Sequence, residues 1–387
     1  MAFMKVKKRA WIAFLAFSLL AVALFSGCAT ERGGDLHGGY PSTYGGDRHD
    51  GDVLPPLIAC DDLSIHFLEL GNKYTGDCVY IQYGDIDILI DAGSRQNSAL
   101  AIRAYIDRHL RDNKLEFVIA THGHQDHIAG FYSTRNIAGV LDSYDIGTII
   151  DFPLTNSGTL TLNNYEKARD DAVARGAAHY NALQCYNNED GAQREYDLGG
   201  GVRLEILYNY FYDHVGRNEN NYSVCIKLIC NDQQYLFTGD LEMEGEDYLV
   251  DYYEENFGGL GHCVLYKGGH HGSSTSSGEK LLAAITPEYV CVCTCAGTSE
   301  YSLTIPNQFP TQAFIDRVAP YTDMVYITTL IINYTNNEFA PFNGDIVFFV
   351  SQGNVSVRGS GSSKKLKESE WFLAYREMPA AWMGDFP

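Results

Sequence analysis

Leu115-Glu116-Phe117-Val118-Ile119-Ala120 runs without a break into Thr121-His122-Gly123-His124-Gln125-Asp126-His127. The first six residues have the length and apolar character of a short buried strand. The next seven pack three imidazoles and a carboxylate into the turn that follows it. Such a turn can aim several nitrogen and oxygen donors at one or two ions. A donor set without thiolate suits zinc, manganese or iron.

Working outward, further acidic and histidine-bearing turns fall where strands end. Ile86–Ile90 reads as a strand closing on Asp91-Ala92-Gly93, and 234–238 as one closing on Gly239-Asp240. The strand at 263–266 runs into Lys267-Gly268-Gly269-His270-His271-Gly272-Ser273. Other expected strands are 63–70, 78–83, 202–208, 222–230, 289–295, 346–351 and 355–358. Helical spacing of apolar residues predicts helices over 98–112, 165–178, 242–253, 277–285 and 311–318. Two β-rich halves with helices between strands predict an α/β (α+β) protein, with two sheets inside and helices outside in four αββα layers.

The run His122-Gly-His124-Gln-Asp126-His127 resembles the H-x-H-x-D-H signature of the metallo-β-lactamase fold hydrolases. Asp91 and Asp240 match that family's strand-end aspartates. Lys267-x-x-His270-His271-Gly272-Ser273, followed by Ser276-Ser277, is similar to the soluble hydrolase domain of the competence protein ComEC and its relatives. His66-Phe67-Leu68-Glu69-Leu70-Gly71, then Gly76-Asp77, and later Gly344-Asp345-Ile346 agree with that group. There is one departure from the classical pattern: Asn218-Glu219-Asn220-Asn221-Tyr222-Ser223 holds no histidine where the classical members have one, while ComEC-like members carry Asn and Ser. His214 is the nearest substitute in sequence, although a surface role suits it better.

The resemblance implies one ion held by Asp126, His127, Asp240 and His270 or His271, with His270 preferred. It implies a second, weaker ion at His122, His124 and Asp240. Zinc or manganese would activate water, and Asp126 would orient it or take its proton. His271 would face substrate or support the ligands, and Lys267 and Ser273 would steady an anion. The expected activity is that of a phosphodiesterase or nuclease. A lactam or other ester hydrolase is a second reading, and a binding protein with a degenerate metal site a third. The loops 151–164 and 184–197 are expected to set specificity.

The N-terminal residues are expected to direct the chain out of the cytoplasm. Lys5, Lys7, Lys8 and Arg9 precede a sixteen-residue apolar stretch, Ala10 to Phe25, and then Ser26-Gly27-Cys28. That is a secretory signal peptide over residues 1–27, and its ending resembles a bacterial lipoprotein signal with Cys28 as the lipidated residue. The favoured leucine lies one place early, at Leu24. Residues 28–56, rich in glycine, read as a flexible tether between a lipid anchor on the outer face of the bacterial cell membrane and a hydrolase domain at 57–360. Residues 361–387 form a C-terminal tail. Losing residues 1–27 removes four positive charges and no negative ones, taking the net charge from −21 to −25. Such a surface disfavours tight binding of nucleic acid. Ten cysteines are present, and Cys291, Cys293 and Cys295 alternate so as to share one face of a strand; buried free thiols describe them better than a metal cluster or a disulfide framework.

Overall fold

A computed structural model of the protein describes residues 62–351 and 353–384. The expected signal peptide and tether, with Cys28 and Cys60, lie outside the described residues.

Six strands come first: β1 (Leu63–Phe67), β2 (Val79–Tyr83), β3 (Ile86–Ile90), β4 (Lys114–Ile119), β5 (Asp145–Asp151) and β6 (Ala178–Asn181). Eight more, β7 (Glu195–Gly199), β8 (Val202–Ile206), β9 (Ile226–Cys230), β10 (Gln233–Phe237), β11 (Leu265–Lys267), β12 (Tyr289–Ala296), β13 (Val325–Asn333) and β14 (Glu338–Pro341), build the second sheet in sequence order. The chain then returns: β15 (Ile346–Ser351) and β16 (Asn354–Gly359) complete the first sheet beside β1, giving the order β16-β15-β1-β2-β3-β4-β5-β6. Helices α1 (Ser98–Ile106), α2 (Gln125–Ile128), α3 (Val140–Ser143), α4 (Leu160–Ala174) and α5 (Ala182–Asn187) accompany the first half. Helices α6 (Met243–Phe257), α7 (Glu279–Ile285), α8 (Gln312–Val318) and α9 (Glu370–Tyr375) accompany the second. The two mixed sheets and their helices make a metallo-β-lactamase-like sandwich. None of the described helices is long and apolar enough to cross a membrane.

Strand β12 shows how the layers are specified. Cys291 and Cys293 point into the core between the sheets, whereas Val290, Val292 and Ala296 point into the outer core under α6, α7 and α8. Both faces are apolar because both are covered, as expected of a parallel strand inside a sheet. The seven described free cysteines are all buried. Cys230 differs from that expectation, being disulfide-bonded. The C-terminal tail packs: Leu366, Trp371, Phe372 and Trp382 are buried in the outer core.

Several elements differ from the periodicity. Strand β13 has no counterpart in the expected elements, because Thr328 and Thr329 interrupt its apolar run and it carries no alternation to read. Helix α4 begins at Leu160, five residues before its predicted start, since the Thr159 hydroxyl accepts from Leu162 N and caps it. Helix α1 stops at Ile106, short of the predicted 112.

The first sheet buries a polar knot on β1. His66 Nδ1 lies 2.6 Å from the Tyr105 hydroxyl and Nε2 lies 2.7 Å from Ser64 Oγ. Burial, with His109 nearby, lowers its pKa to about 3. The folded state therefore favours neutral His66, so its contribution is present above the unfolded pKa near 6.5 and is lost as pH falls below it. Stability should decline between about pH 6.5 and pH 4, by up to ~1.4 kcal/mol per pH unit from this proton alone. Urea midpoints measured across that range should fall less steeply for His66→Gln; parallel curves would exclude His66 as the source.

Candidate metal centre

The site forms where strand ends from both sheets meet. Parallel pairing of β3 with β4, and of β10 with β11 and β12, brings their C-terminal ends to one edge of the sandwich. Open α/β sheets place their ligands at such an edge. Asp91 follows β3, the histidine run follows β4, Asp240 follows β10, and His270-His271 follow β11.

Four side chains converge. His127 Nε2 is 3.1 Å from Asp240 Oδ2, and His271 Nε2 is 3.3 Å from the same oxygen and 3.5 Å from Asp126 Oδ2. Ligands on a tetrahedral ion with bonds of ~2.0–2.1 Å sit roughly 3.4 Å apart. The spacing therefore fits one divalent cation between Asp126, His127, Asp240 and His271. Hydrogen bonding agrees. His127 Nε2, His271 Nε2 and both Asp240 oxygens are buried with no well-formed hydrogen bond, meeting only one another and the Lys267 ammonium 3.6 Å from Oδ1. Orphaned donors and acceptors of this kind are costly unless a cation satisfies them.

Each imidazole is aimed from behind. His127 Nδ1 lies 2.7 Å from Asp91 Oδ2, while the two Asp91 oxygens also accept from Thr121 N and Oγ1, each at 2.8 Å. His271 Nδ1 lies 3.0 Å from the Cys293 carbonyl and 3.0 Å from Asp77 Oδ1. Protons held on Nδ1 leave both Nε2 lone pairs facing the centre. Gly76 is required nearby, because a Cβ there would stand 2.6 Å from Ser94 N and 2.7 Å from Asp126 O.

Charge in the site is interdependent. Burial disfavours ionised Asp240, yet His127 and His271 outweigh it and hold the carboxylate well below its usual range. Burial also opposes charging His127, but Asp240 and Asp91 raise its pKa well above the ordinary value. His122 goes the other way, held neutral by burial and by the neighbouring His127. His122 Nε2 and His124 Nδ1 face each other at 3.0 Å, beside the His127 ring but outside the four-donor group.

Two expectations change. The preference for His270 over His271 is reversed by geometry: His271 is buried among the donors, whereas His270 Nε2 stands 3.8 Å from Asp240 and lines the open cavity. The backbone forces this exchange, since His270 (φ 45°), His271 (φ 53°) and Gly272 (φ 81°) are all left-handed. That strained segment is braced by Glu246, which accepts from Ser277 N (2.6 Å) and Gly278 N (2.7 Å). Arg317 adds hydrogen bonds to the carbonyls of Ser276 (2.7 Å) and Ser277 (2.8 Å). Burial pushes the Glu246 carboxyl up to about 7. Lys267 does not face substrate: its ammonium is buried against Asp77 and donates to Gly239 O at 2.9 Å. Ser273 is likewise buried and bonds Thr275.

The cavity over the donors holds about 470 Å³ and is lined by Arg95, His124, Asp126, Thr159, His270 and Tyr301, among others. Tyr301 donates to Asp126 Oδ2 and stacks on Phe309. Thr159 brings the expected 151–164 loop to the mouth; the described 184–197 segment contributes nothing to this lining. His214 is half-exposed and stacks on Tyr210, away from the donors. Asp77, Tyr301, Glu246 and Arg317 escaped sequence reasoning as site residues. Gly76-Asp77 before a strand was a readable signal, whereas the other three touch the site only through long-range folding.

Replacing Asp91 with Asn should let the His127 ring reorient and should weaken zinc or manganese binding by ~10–100-fold. Competition against a chromophoric chelator measures this, and unchanged affinity would remove Asp91 from the support of the site.

The model of the metallo-beta-lactamase superfamily matches residues 71–141. Competence protein ComA of Neisseria gonorrhoeae is 34% identical over 101 residues, which are 26% of this chain and 13% of that protein. Among solved structures, the metallo-beta-lactamase fold protein YhfI from Bacillus subtilis aligns with a TM-score of 0.41 and 10% identity, over 70% of this chain and 97% of that one. A diphosphatase from the PhnP family aligns with a TM-score of 0.32 and 11% identity, over 59% and 85%. The segment matched by the superfamily model, 71–141, contains Asp77, Asp91 and the whole His122–His127 run, within a chain that folds as a metallo-β-lactamase-like sandwich.

Proposed function

We propose that this chain is a metal-dependent hydrolase acting on a phosphodiester outside the cytoplasm, tethered to the membrane through Cys28. The observation that carries the hydrolase reading is the four-donor group of Asp126, His127, Asp240 and His271, whose two Nε2 atoms and Asp240 oxygens converge without a well-formed hydrogen bond. These four residues would hold a zinc or manganese ion, which would supply Lewis-acid stabilisation of a phosphoryl group and lower the pKa of water toward neutrality.

The remaining work falls to the chain. Asp91 and Asp77 keep both imidazoles in the tautomer that presents Nε2. Asp126 takes the proton of the attacking water or orients it, and the Tyr301 phenol fixes the rotamer of that carboxylate. His270, at the cavity wall, faces the substrate. Arg95 is the sole lysine or arginine among the residues lining the cavity, and Glu300 already pairs with it at 2.6 Å. With a net charge of −21 for the chain, this favours a phosphodiester gripped at its reacting group over a long polyanion. The disulfide at Cys230 fits an oxidising compartment and supports export.

Loaded with manganese or zinc, the protein should cleave bis-p-nitrophenyl phosphate. Asp240→Ala and His271→Ala should each lower kcat/KM by at least ~10³-fold, about 4 kcal/mol of transition-state stabilisation. His270→Ala should cost less than ~10-fold on the same scale. Equal rates for wild type and Asp240→Ala would sink the hydrolase reading, and cleavage of a lactam in preference to phosphodiesters would move the substrate class. Labelled palmitate should enter the protein in growing cells and be lost with Cys28→Ser; an unlabelled wild type would remove the anchor.

A further inference from the structure

The histidine-free stretch Asn218–Ser223 carries a carboxylate that no part of the proposed chemistry uses. Glu219 is buried, 5% exposed, on the connection before β9. Its Oε1 accepts from Gly123 N at 3.1 Å and from Thr155 Oγ1 at 2.7 Å, and its Oε2 accepts from Asn156 N at 2.7 Å. A buried carboxylate with three converging donors is a strong, directional clamp. One end of that clamp is the peptide between His122 and His124. The other is the 155–159 loop, whose Thr159 lines the cavity and caps α4.

The glycine at the centre of the histidine run follows from the same contact. A Cβ on Gly123 would lie 2.6 Å from Glu219 Oε1 and 3.1 Å from Thr155 Oγ1. Gly123 has room for the carboxylate only because it has no side chain. The neighbours of Glu219 are engaged elsewhere: Asn221 Oδ1 accepts from Glu242 N at 3.1 Å, and Ser223 Oγ accepts from Asp240 N at 3.0 Å. The stretch that lacks a histidine thus acts as a brace spanning both halves of the site.

We propose that Glu219 is a positioning residue: it sets the backbone between His122 and His124 and locks that loop to the far wall of the cavity mouth, so that both metal affinity and substrate fit depend on it. This rests on the metal-hydrolase reading of the site. Glu219→Gln keeps the shape but loses an acceptor, leaving at least one of the three donors unpaired.

Amide exchange in the metal-free protein should accelerate at least fivefold in peptides holding Gly123 and Asn156, with β1 and β2 unchanged. Affinity for manganese or zinc, read by competition with a chromophoric chelator, should fall tenfold or more, and KM for bis-p-nitrophenyl phosphate should rise. Glu219→Asp, which keeps the charge on a shorter arm, should recover part of the affinity. Gly123→Ala should weaken metal binding tenfold in the wild type yet less than threefold in a Glu219→Ala background, because the clash partner is gone. Wild-type exchange at both peptides, or metal affinity within twofold of wild type in Glu219→Gln, would overturn the assignment. A wild type that binds no ion overturns the hydrolase reading instead, and the exchange measurement, needing neither metal nor turnover, separates the two failures.

Discussion

Four carboxylates brought to one place, largely out of water, set the terms for everything around them. Asp77, Asp91 and Asp240 are buried, and Asp126 is 14% exposed at its side chain. Removing a carboxylate from water costs several kcal/mol even after relaxation, unless charge and hydrogen bonds compensate it. Lys267 answers Asp77, and Thr121 together with His127 answers Asp91. Asp240 has Lys267 at 3.6 Å and Asp126 the Tyr301 hydroxyl, and beyond these both depend on imidazoles that must either carry protons or share a cation. The architecture follows from that requirement: strand ends from two sheets are needed to bring these groups together, and two covered sheets are needed to keep water away from them.

The same requirement explains why the site tolerates strain. Two successive non-glycine residues in the left-handed region cost on the order of 1–3 kcal/mol each. That conformation turns His271 inward beneath Asp240 while His270 points to the cavity, an arrangement a regular turn after β11 does not give. The buried Glu246 and the Arg317 guanidinium hold the following serines from opposite chemical sides, one accepting amide protons and the other donating to carbonyls. Holding that loop is what aligns His271 with His127, whose own position depends on β4 rather than β11.

Much of this was legible in the sequence, and the limits have physical causes. The sandwich could be read because most strands alternate or end in Asp, Gly or His turns, and the metal loop because its donors are contiguous. Strand β13 is not legible because Thr328 and Thr329 break its apolar run, whereas β12, also covered on both faces, is marked by its alternating cysteines. The resemblance favours His270, the first of the pair, and sequence adjacency cannot correct it, because the sign of φ decides which of two neighbouring imidazoles turns inward. Lys267 looked like an anion-binding group because its partner, Asp77, is 190 positions away in the chain. Tyr301 and Arg317 act from loops and helices that meet the site only after the second sheet has closed.

The number of ions the site favours can be argued from hydrogen bonds. In the four-donor group every imidazole has its Nδ1 occupied by a carboxylate or carbonyl, so Nε2 is committed to the centre. His122 is different. Its Nδ1 sits near the Thr121 and Ser223 hydroxyls, at 3.2 and 3.5 Å, and its Nε2 meets His124 Nδ1 at 3.0 Å. The Thr121 hydroxyl, which already donates to Asp91, can only accept from Nδ1, whereas the more distant Ser223 hydroxyl can do either, so His122 is held in its tautomer less firmly than His127 or His271. The stretch that would have supplied a third imidazole offers Ser223, whose oxygen accepts from Asp240 N. A first ion would therefore meet donors already aligned, while a second would have to break the His122–His124 contact. The Asp126–His127–Asp240–His271 position would thus fill first, and occupancy beside His122 and His124 would depend on how firmly their loop is held.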